Sequence, residues 1–321
     1  MMEILLTIAG LALILVGANY LTDGSAAMAR RFHISEFIVG LTVVAIGTST
    51  PELIVSVMSA IHGSGEMAIG NVTGSNVFNG LFILGISALI APVPLTGNNI
   101  KKDIPFGVLA SVILLVVCCD VALGSDSSDN VGRDEGIILL LLFIVFICYS
   151  IFSASGQEAK TASEQQSTPQ KTTPLWLTFV MIIGGLAALV FGGNLFQTNA
   201  AQMARSFGIS ESVIAITLMA GGTSLPELAA SVVSALKGKP EMSMGNVLGS
   251  NITNIFLVLG ASATITPLSL GGISITDLAA VLLASVLLWL TAFTFRRRVI
   301  DRFEGALFVI LYIGYIWYVV A

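Results

Sequence analysis

Long apolar stretches separated by short polar connections run along the whole chain. Ten such stretches are present, near residues 3–29, 35–61, 67–92, 103–122, 136–153, 175–204, 210–236, 242–267, 275–295 and 303–320. A helix needs about 20 apolar residues to span a bilayer, and longer stretches predict tilted or broken helices. The alternating pattern of a membrane β-barrel is absent from the sequence. The pattern therefore predicts an all-α integral membrane protein with ten transmembrane helices.

Composition agrees with this prediction. The 321 residues are 55% hydrophobic and only 10% charged, whereas soluble domains carry about 25% charged residues. No basic run indicates binding of nucleic acid, and the three cysteines lack the spacing of a metal site. We expect the lipid bilayer as a partner, no nucleic acid and no covalent cofactor.

The chain contains an internal repeat. Residues 38–92 align with residues 213–267 at a constant offset of 175, with 28 identities in 55 positions. A polar stretch rich in Gln, Ser and Thr, residues 153–174, lies between the two halves and is typical of a flexible linker. The sequence thus predicts one five-helix repeat over residues 1–152 and a second over residues 175–321.

The odd number of helices in each half predicts that the second repeat enters the membrane from the opposite side. The charges agree, because the odd-numbered connections carry 12 of the 14 lysines and arginines and the even-numbered ones carry two. By the positive-inside rule, the linker is cytoplasmic and both termini are extracellular or periplasmic. We therefore expect a multi-pass protein of the plasma (inner) membrane, built from two inverted-topology repeats as in many transporters.

Two glutamates lie inside apolar spans, at repeat-equivalent positions. Glu52 belongs to "AIGTSTPELIVS" and Glu227 to "AGGTSLPELAAS". An ionisable residue at membrane depth indicates a functional site. Pro51 and Pro226 remove helical hydrogen bonds and are expected to free carbonyls near Gly47 and Gly222, beside Ala45, Thr48, Ala220 and Thr223. Carboxylate, carbonyl and hydroxyl oxygens are the ligands that hard cations such as Ca²⁺ take.

The third and eighth spans add further oxygen ligands. The motifs "GNVTGSNVFN" and "GNVLGSNITN" place a serine and an asparagine four residues apart, on one helix face. These residues are Ser75 with Asn79, and Ser250 with Asn254. Asn76 and Asn251 point about 100° away, which favours a role in packing or in satisfying the backbone.

Charge arithmetic limits what such a site can bind. Two carboxylates carry −2, which one Ca²⁺ or two Na⁺ neutralise, whereas a third Na⁺ leaves +1. The same oxygens therefore suit either ion but not both at once, and this competition is how an antiporter couples two fluxes.

The paired motifs "GTSTPE", "GTSLPE", "GNVTGSN" and "GNVLGSN" resemble the two repeats of the cation/Ca²⁺ exchanger superfamily, and most closely those of prokaryotic Na⁺/Ca²⁺ exchangers. The resemblance covers both halves of the chain. It implies electrogenic exchange of three Na⁺ for one Ca²⁺ by alternating access, with the long first and sixth helices sliding across the bundle. The transported ions, Ca²⁺ and Na⁺, are then the ligands of the site.

The resemblance also implies a role for each site residue. Glu52 and Glu227 bridge a central Ca²⁺ site and flanking Na⁺ sites, and Thr48 and Thr223 bind Ca²⁺ through backbone oxygen. The other expected ligands form three groups: Ala45, Ser49 and Ser75 in one Na⁺ site; Ala220, Ser224 and Ser250 in the other; and Asn79 and Asn254 at the centre.

One position departs from the family pattern, and it leaves alternatives open. Related archaeal and K⁺-dependent sequences often have aspartate where this chain has Asn254, so the centre lacks a third acid and the case for K⁺ co-transport is weak. A Ca²⁺/H⁺ (or other cation/H⁺) antiporter on the same fold is the main alternative, and a cation channel is a remote one. Neither a Ser/His/Asp set nor a His-rich set lies within the predicted spans, so we do not expect an enzyme. One chain holds the whole predicted site, so we expect a functional monomer.

Overall fold

A computed structural model describes residues 2–119, 129–164, 173–207, 221–294 and 296–320. Within these ranges the chain is helical apart from short connections and four two-residue strands. The helices are α1 Met2–Arg31, α2 Glu36–Thr48, α3 Thr50–Ile61, α4 Gly65–Ile90, α5 Ile104–Val117, α6 Arg133–Glu164, α7 Leu175–Ser206, α8 Leu225–Leu236, α9 Pro240–Ile265, α10 Ile275–Thr291 and α11 Arg302–Val320. The strands are β1 Val93–Pro94, β2 Asn130–Val131, β3 Leu268–Ser269 and β4 Val299–Ile300.

The helices are consistent with a membrane protein. Six of those described are long and apolar enough to cross a bilayer, namely α1, α4, α6 up to Phe152, α7, α9 and α11 up to Val319. The pair α2 and α3 passes the same test as a single span bent by 43°. Part of the span predicted at 210–236 lies outside the described residues, as does the end of the span predicted at 103–122. The membrane fold is thus confirmed, whereas the count of ten spans stays a prediction.

Helix α6 is longer than the apolar pattern predicts. It continues to Glu164, well into the stretch that we expect to be a linker. A helix that is already formed extends without a new nucleation step, and the Ala, Glu, Gln and Lys residues of this stretch are good helix formers. The remainder of the expected linker, up to residue 172, lies outside the described residues.

The strands join connections that are far apart in sequence. β1 pairs with β4 in antiparallel register, Val93 opposite Ile300, and β2 pairs with β3, Val131 opposite Leu268. The connection after α4 therefore meets the one before α11, and the connection before α6 meets the one after α9. The first pair joins two odd-numbered connections of the predicted topology, and the second pair joins two even-numbered ones.

Glycines allow several helices to pack closely. The antiparallel helices α1 and α7 meet at Gly17, where an added Cβ would lie 2.7 Å from Gly185 O, and at Gly10, where it would lie 2.9 Å from Gly192 O. At the repeat offset of 175, Gly10 is equivalent to Gly185 and Gly17 to Gly192. Helix α9 crosses α2 in the same way at Gly245. Close packing brings α2, α3, α4, α8 and α9 around one buried centre, which contains both glutamates.

Three π-helical turns lie in the helices around this centre. Helices α4 and α9 each contain a π-helical turn, Phe78–Ile83 and Asn254–Leu259, and α2 contains another at Gly40–Val44. Such turns are rare and occur often at functional sites. Asn79 and Asn254 both lie in these turns.

Candidate cation site

The two glutamates lie at equivalent helix starts in the interior of the protein. Glu52 is the third residue of α3 and Glu227 the third residue of α8, and both are 0% exposed. The positive end of a helix dipole stabilises a carboxylate in the first turn. The sequence motifs therefore place both acids where the backbone already favours negative charge.

Both prolines lie at the start of a helix and not in a helix interior. Helix α2 ends at Thr48 and α3 begins at Thr50, so Pro51 lies in the first turn of a new helix, where its missing N–H costs little. Two backbone carbonyls upstream of the prolines accept hydrogen bonds: Ala45 O from the Ser49 N–H at 3.0 Å, and Gly222 O from the Leu225 N–H at 3.4 Å. That the backbone oxygens of Thr48 and Thr223 are free to bind a cation stays a prediction.

Each carboxylate accepts a hydrogen bond from the other repeat. Ser224 Oγ donates to Glu52 Oε1 at 2.8 Å, and Ser49 Oγ donates to Glu227 Oε1 at 3.0 Å. The two bonds are related by the offset of 175 residues. The two halves of the chain therefore cross over at the site, and neither half holds its own glutamate alone.

Two asparagines that were not predicted as site residues position the glutamates. Asn71 Nδ2 donates to Glu52 O at 3.3 Å and to Ser56 Oγ at 2.9 Å. Asn246 Nδ2 does the same with Glu227 O at 3.3 Å and Ser231 Oγ at 2.9 Å. Their spacing was a usable signal, because Asn71 lies four residues before Ser75 and Asn246 four before Ser250, on the same helix faces.

The predicted threonines contact these asparagines. Thr48 Oγ1 donates to Asn246 Oδ1 at 3.2 Å, and Thr223 Oγ1 donates to Asn71 Oδ1 at 3.4 Å. The threonine hydroxyls are thus engaged across the repeats. This arrangement is compatible with the expectation that the threonines bind a cation through backbone oxygen.

One contact joins residues that the sequence predicts in different flanking sites. Ser75 Oγ and Ser224 Oγ lie within hydrogen-bonding distance, 3.0 Å apart, and Ser224 also contacts Glu52. Ala45 lies beside α9, since a Cβ added at Gly249, next to Ser250, would be 2.7 Å from the Ala45 Cβ. Ala45 O accepts from the Ser49 N–H at 3.0 Å and from Thr48 Oγ1 at 3.3 Å. Ala220 lies outside the described residues.

Asn76 and Asn251, which are predicted to point away from the ligand face, form hydrogen bonds between helices. Asn251 Nδ2 donates to Asn76 O at 3.3 Å, and Asn254 Nδ2 donates to Asn76 Oδ1 at 3.5 Å. Helices α4 and α9 are therefore linked at this level.

Several buried oxygens of the site have no hydrogen-bond partner among the described residues. They are Glu52 Oε2, Glu227 Oε2, Asn79 Oδ1, Asn254 Oδ1 and Ser250 Oγ. Buried polar groups are normally paired, and an unpaired buried charge is costly. Both repeats contribute such oxygens, and they belong to the types that coordinate hard cations.

The charge of this centre is not balanced by protein groups in the described part of the chain. The ion pairs found there, Lys237 with Asp23 and Lys239 with Glu36, do not involve Glu52 or Glu227. The same residues contain no cluster of three or more His, Cys, Asp or Glu side chains. The centre therefore has the chemistry of a site for hard cations bound by oxygen and not of a transition-metal site.

Comparisons with known proteins agree with this chemistry. The family model for the sodium/calcium exchanger protein matches residues 2–152 and 177–321. The inner membrane protein YrbG of Escherichia coli is 33% identical over 88% of this chain and 86% of its own. The sodium/calcium exchanger MaX1 of Methanosarcina acetivorans is 30% identical over 97% of each chain.

A solved structure is similar over almost the whole length. The sodium-calcium exchanger NCX_Mj soaked with 2.5 mM Na⁺ and 1 mM Sr²⁺ superimposes with a TM-score of 0.84 at 32% identity, covering 98% of both chains. Sequence and structure therefore agree over both repeats, and the chain belongs to the sodium/calcium exchanger family.

Proposed function

We propose that this protein is a secondary antiporter that exchanges Na⁺ for Ca²⁺ across the cell membrane by alternating access. The observation that carries the proposal is the pair of fully buried carboxylates, each with one oxygen that has no partner among the described residues. Family membership and the relatives named for sodium and calcium exchange support it. Since those names include sodium, we do not favour the proton-coupled alternative.

Electrostatics explains why the fluxes would be coupled. The two carboxylates repel each other, and moving charges out of water costs several kcal/mol per ion unless they are paired. One Ca²⁺ or two Na⁺ neutralise the pair, and a third Na⁺ makes the loaded site positive. Ca²⁺ and Na⁺ therefore compete for one centre, and exchange of three Na⁺ for one Ca²⁺ would move net charge.

The hydrogen bonds support a revised assignment of ligands. We assign Glu52 and Glu227 to the centre, with the backbone oxygens of Thr48 and Thr223 and the amide oxygens of Asn79 and Asn254. Because Ser75 contacts Ser224, we assign Glu52, Ser75, Ser224 and Ala220 to one Na⁺ site and Glu227, Ala45, Ser49 and Ser250 to the other. Each flanking site then takes oxygens from both repeats.

The wider architecture follows from the same reasoning. We propose ten spans in two inverted five-helix repeats, with a cytoplasmic linker and both termini on the outer side. The two strand pairs support this topology, because each joins connections that the proposal puts on one side of the membrane. One chain contributes all of the assigned ligands, which supports a functional monomer.

A transport assay tests the proposal. The full chain is reconstituted into vesicles loaded with Na⁺, and Ca²⁺ uptake is measured with and without an outward Na⁺ gradient at fixed pH. We expect uptake that requires the Na⁺ gradient and responds to membrane potential. Uptake that ignores Na⁺ but follows an imposed pH gradient would overturn Na⁺ coupling.

Matched glutamate variants test the site. Glu52→Gln and Glu227→Gln are expected to abolish exchange, because each removes half of the charge of the centre. Glu66→Gln and Glu241→Gln make the same change in the first turns of α4 and α9, outside the site, and should retain exchange. Normal transport by either of the first two variants would reject the assigned centre.

A further inference from the structure

A cavity with a strongly basic lining lies at the end of the bundle where β1 pairs with β4. It has a volume of about 400 Å³ and is formed by the connection between α4 and α5 together with the connection between α10 and α11. Lys101, Arg297 and Arg298 supply its charge, and Ile100 and Phe293 supply apolar walls. We call it the cationic cavity.

Hydrogen bonds hold the two walls of the cationic cavity together. The Leu95 N–H donates to Arg298 O at 2.8 Å, which extends the pairing of β1 with β4. Trp289 Nε1 donates to Ile100 O at 3.0 Å and ties the end of α10 to the other connection. The cations therefore converge on a fixed opening and do not belong to independent loops.

The charge of the cavity is not neutralised by the described residues. None of its three cations forms an ion pair there. The nearby acids Asp103, Asp301 and Glu304 are held by hydrogen bonds to other groups and do not line the cavity. An anion in the cavity would thus meet three cations and no carboxylate in the lining.

Backbone conformation indicates that the cation at position 298 has a use. Arg298 has φ +63°, in the left-handed region that glycine adopts readily and arginine rarely. Glycine would fit this turn without strain, yet the chain has arginine there. We infer that arginine occupies this strained position because of its side chain, which lines the cavity.

The lining of cations beside apolar side chains indicates the class of ligand. Trp289 and Phe293 are both exposed and pack edge to face with ring centroids 6.0 Å apart, as aromatic residues do at a membrane interface. Basic pockets at this level bind anionic headgroups. We propose that the cationic cavity binds the phosphate of an anionic phospholipid, with its acyl chain along Phe293 and Ile100.

Lipid binding to the purified full chain tests the proposal. Phosphatidylglycerol or phosphatidylcholine is titrated into the detergent-solubilised protein, and bound lipid is counted by native mass spectrometry. We expect saturable binding of phosphatidylglycerol in preference to phosphatidylcholine. The double variant Lys101→Gln/Arg297→Gln should bind phosphatidylglycerol roughly 25-fold more weakly, since each cation near an anionic lipid contributes about fivefold.

The chain offers a matched control. Lys102→Gln/Arg296→Gln removes the same residue types from the same two connections, outside the cavity lining. It should bind phosphatidylglycerol as the unmodified chain does. If both double variants lose the same binding of phosphatidylglycerol, the loss follows net charge and not the cavity, and the proposal is overturned.

Two further measurements test whether Arg298 acts in binding or in folding, and whether the ligand is a lipid or a soluble anion. Arg298→Gly relieves the backbone strain, so we expect unchanged or higher thermal stability together with about fivefold weaker binding of phosphatidylglycerol. Full binding by this variant would overturn the role of Arg298. Inorganic phosphate should displace the lipid only weakly; if it binds as tightly as phosphatidylglycerol, the lipid assignment is wrong.

Discussion

The contact between Ser75 and Ser224 gives the sharpest test of how the flanking sites are arranged. Ser224 Oγ bonds both Glu52 Oε1 and Ser75 Oγ, whereas Ser49 bonds Glu227. Ser75 and Ser224 therefore form one unit with Glu52, although they come from different repeats. Ser75→Ala and Ser224→Ala should then act on the same Na⁺ site.

The magnitudes follow from the type of each bond. A hydrogen bond to a charged group is worth about 1.5–3 kcal/mol and a neutral one about 1 kcal/mol. Ser224→Ala should therefore raise the half-saturating Na⁺ concentration by roughly 10-fold or more, and Ser75→Ala by roughly fivefold. Residues in contact show coupling energies of about 0.5–3 kcal/mol, while independent ones add within about 0.5 kcal/mol.

The assay is a pair of double-mutant cycles on the Na⁺ dependence of Ca²⁺ uptake. We expect coupling between Ser75→Ala and Ser224→Ala, and additivity between Ser75→Ala and Ser49→Ala. Ser111 and Ser285 provide a control cycle, since they form a hydrogen bond of 2.8 Å away from the glutamates. Coupling of Ser75 to Ser49 with none to Ser224 would refute the crossed arrangement and restore the grouping expected from sequence.

The remaining predictions concern the frame of the site. An added Cβ at Gly245 would come closer to Phe37 O than real Cβ atoms do, so Gly245→Ala should separate α9 from α2 and lower both thermal stability and uptake; Gly74→Ala, with open space around it, should leave both intact. Asn246→Leu removes two donors of about 1 kcal/mol each and should weaken Ca²⁺ affinity by at least tenfold in a Ca²⁺ titration of uptake. Asn254→Asp adds a third acid and should tighten Ca²⁺ binding in calorimetry; unchanged affinity would place that side chain outside the centre.

The sequence predicts which oxygen-bearing residues to expect at the centre, but it does not predict which of them contact each other. An apolar span makes each glutamate conspicuous, and the repeat identifies it twice, so Glu52 and Glu227 need no structure to be found. The offset of 175 residues equates Ser49 with Ser224 but does not say which carboxylate each one contacts. That choice depends on how α2 and α8 cross, and crossing is set by the close packing of whole helices. The spacing puts Asn71 on the same helix face as Ser75, but it does not give the hydrogen-bond partners of Asn71, which lie on another helix.

The crossed hydrogen bonds also bear on why exchange would be obligatory. Helices α3 and α8 each carry a glutamate in the first turn and follow directly after the serine that donates to the opposite glutamate, so a displacement of either helix start disturbs both carboxylates. Two buried charges of like sign are costly in a medium of low dielectric, by several kcal/mol for each unpaired ion. Each 1.4 kcal/mol of that cost slows a crossing about tenfold. Cations that neutralise the pair remove the penalty for both carboxylates together, so we expect the loaded centre to change its access far faster than one without cations.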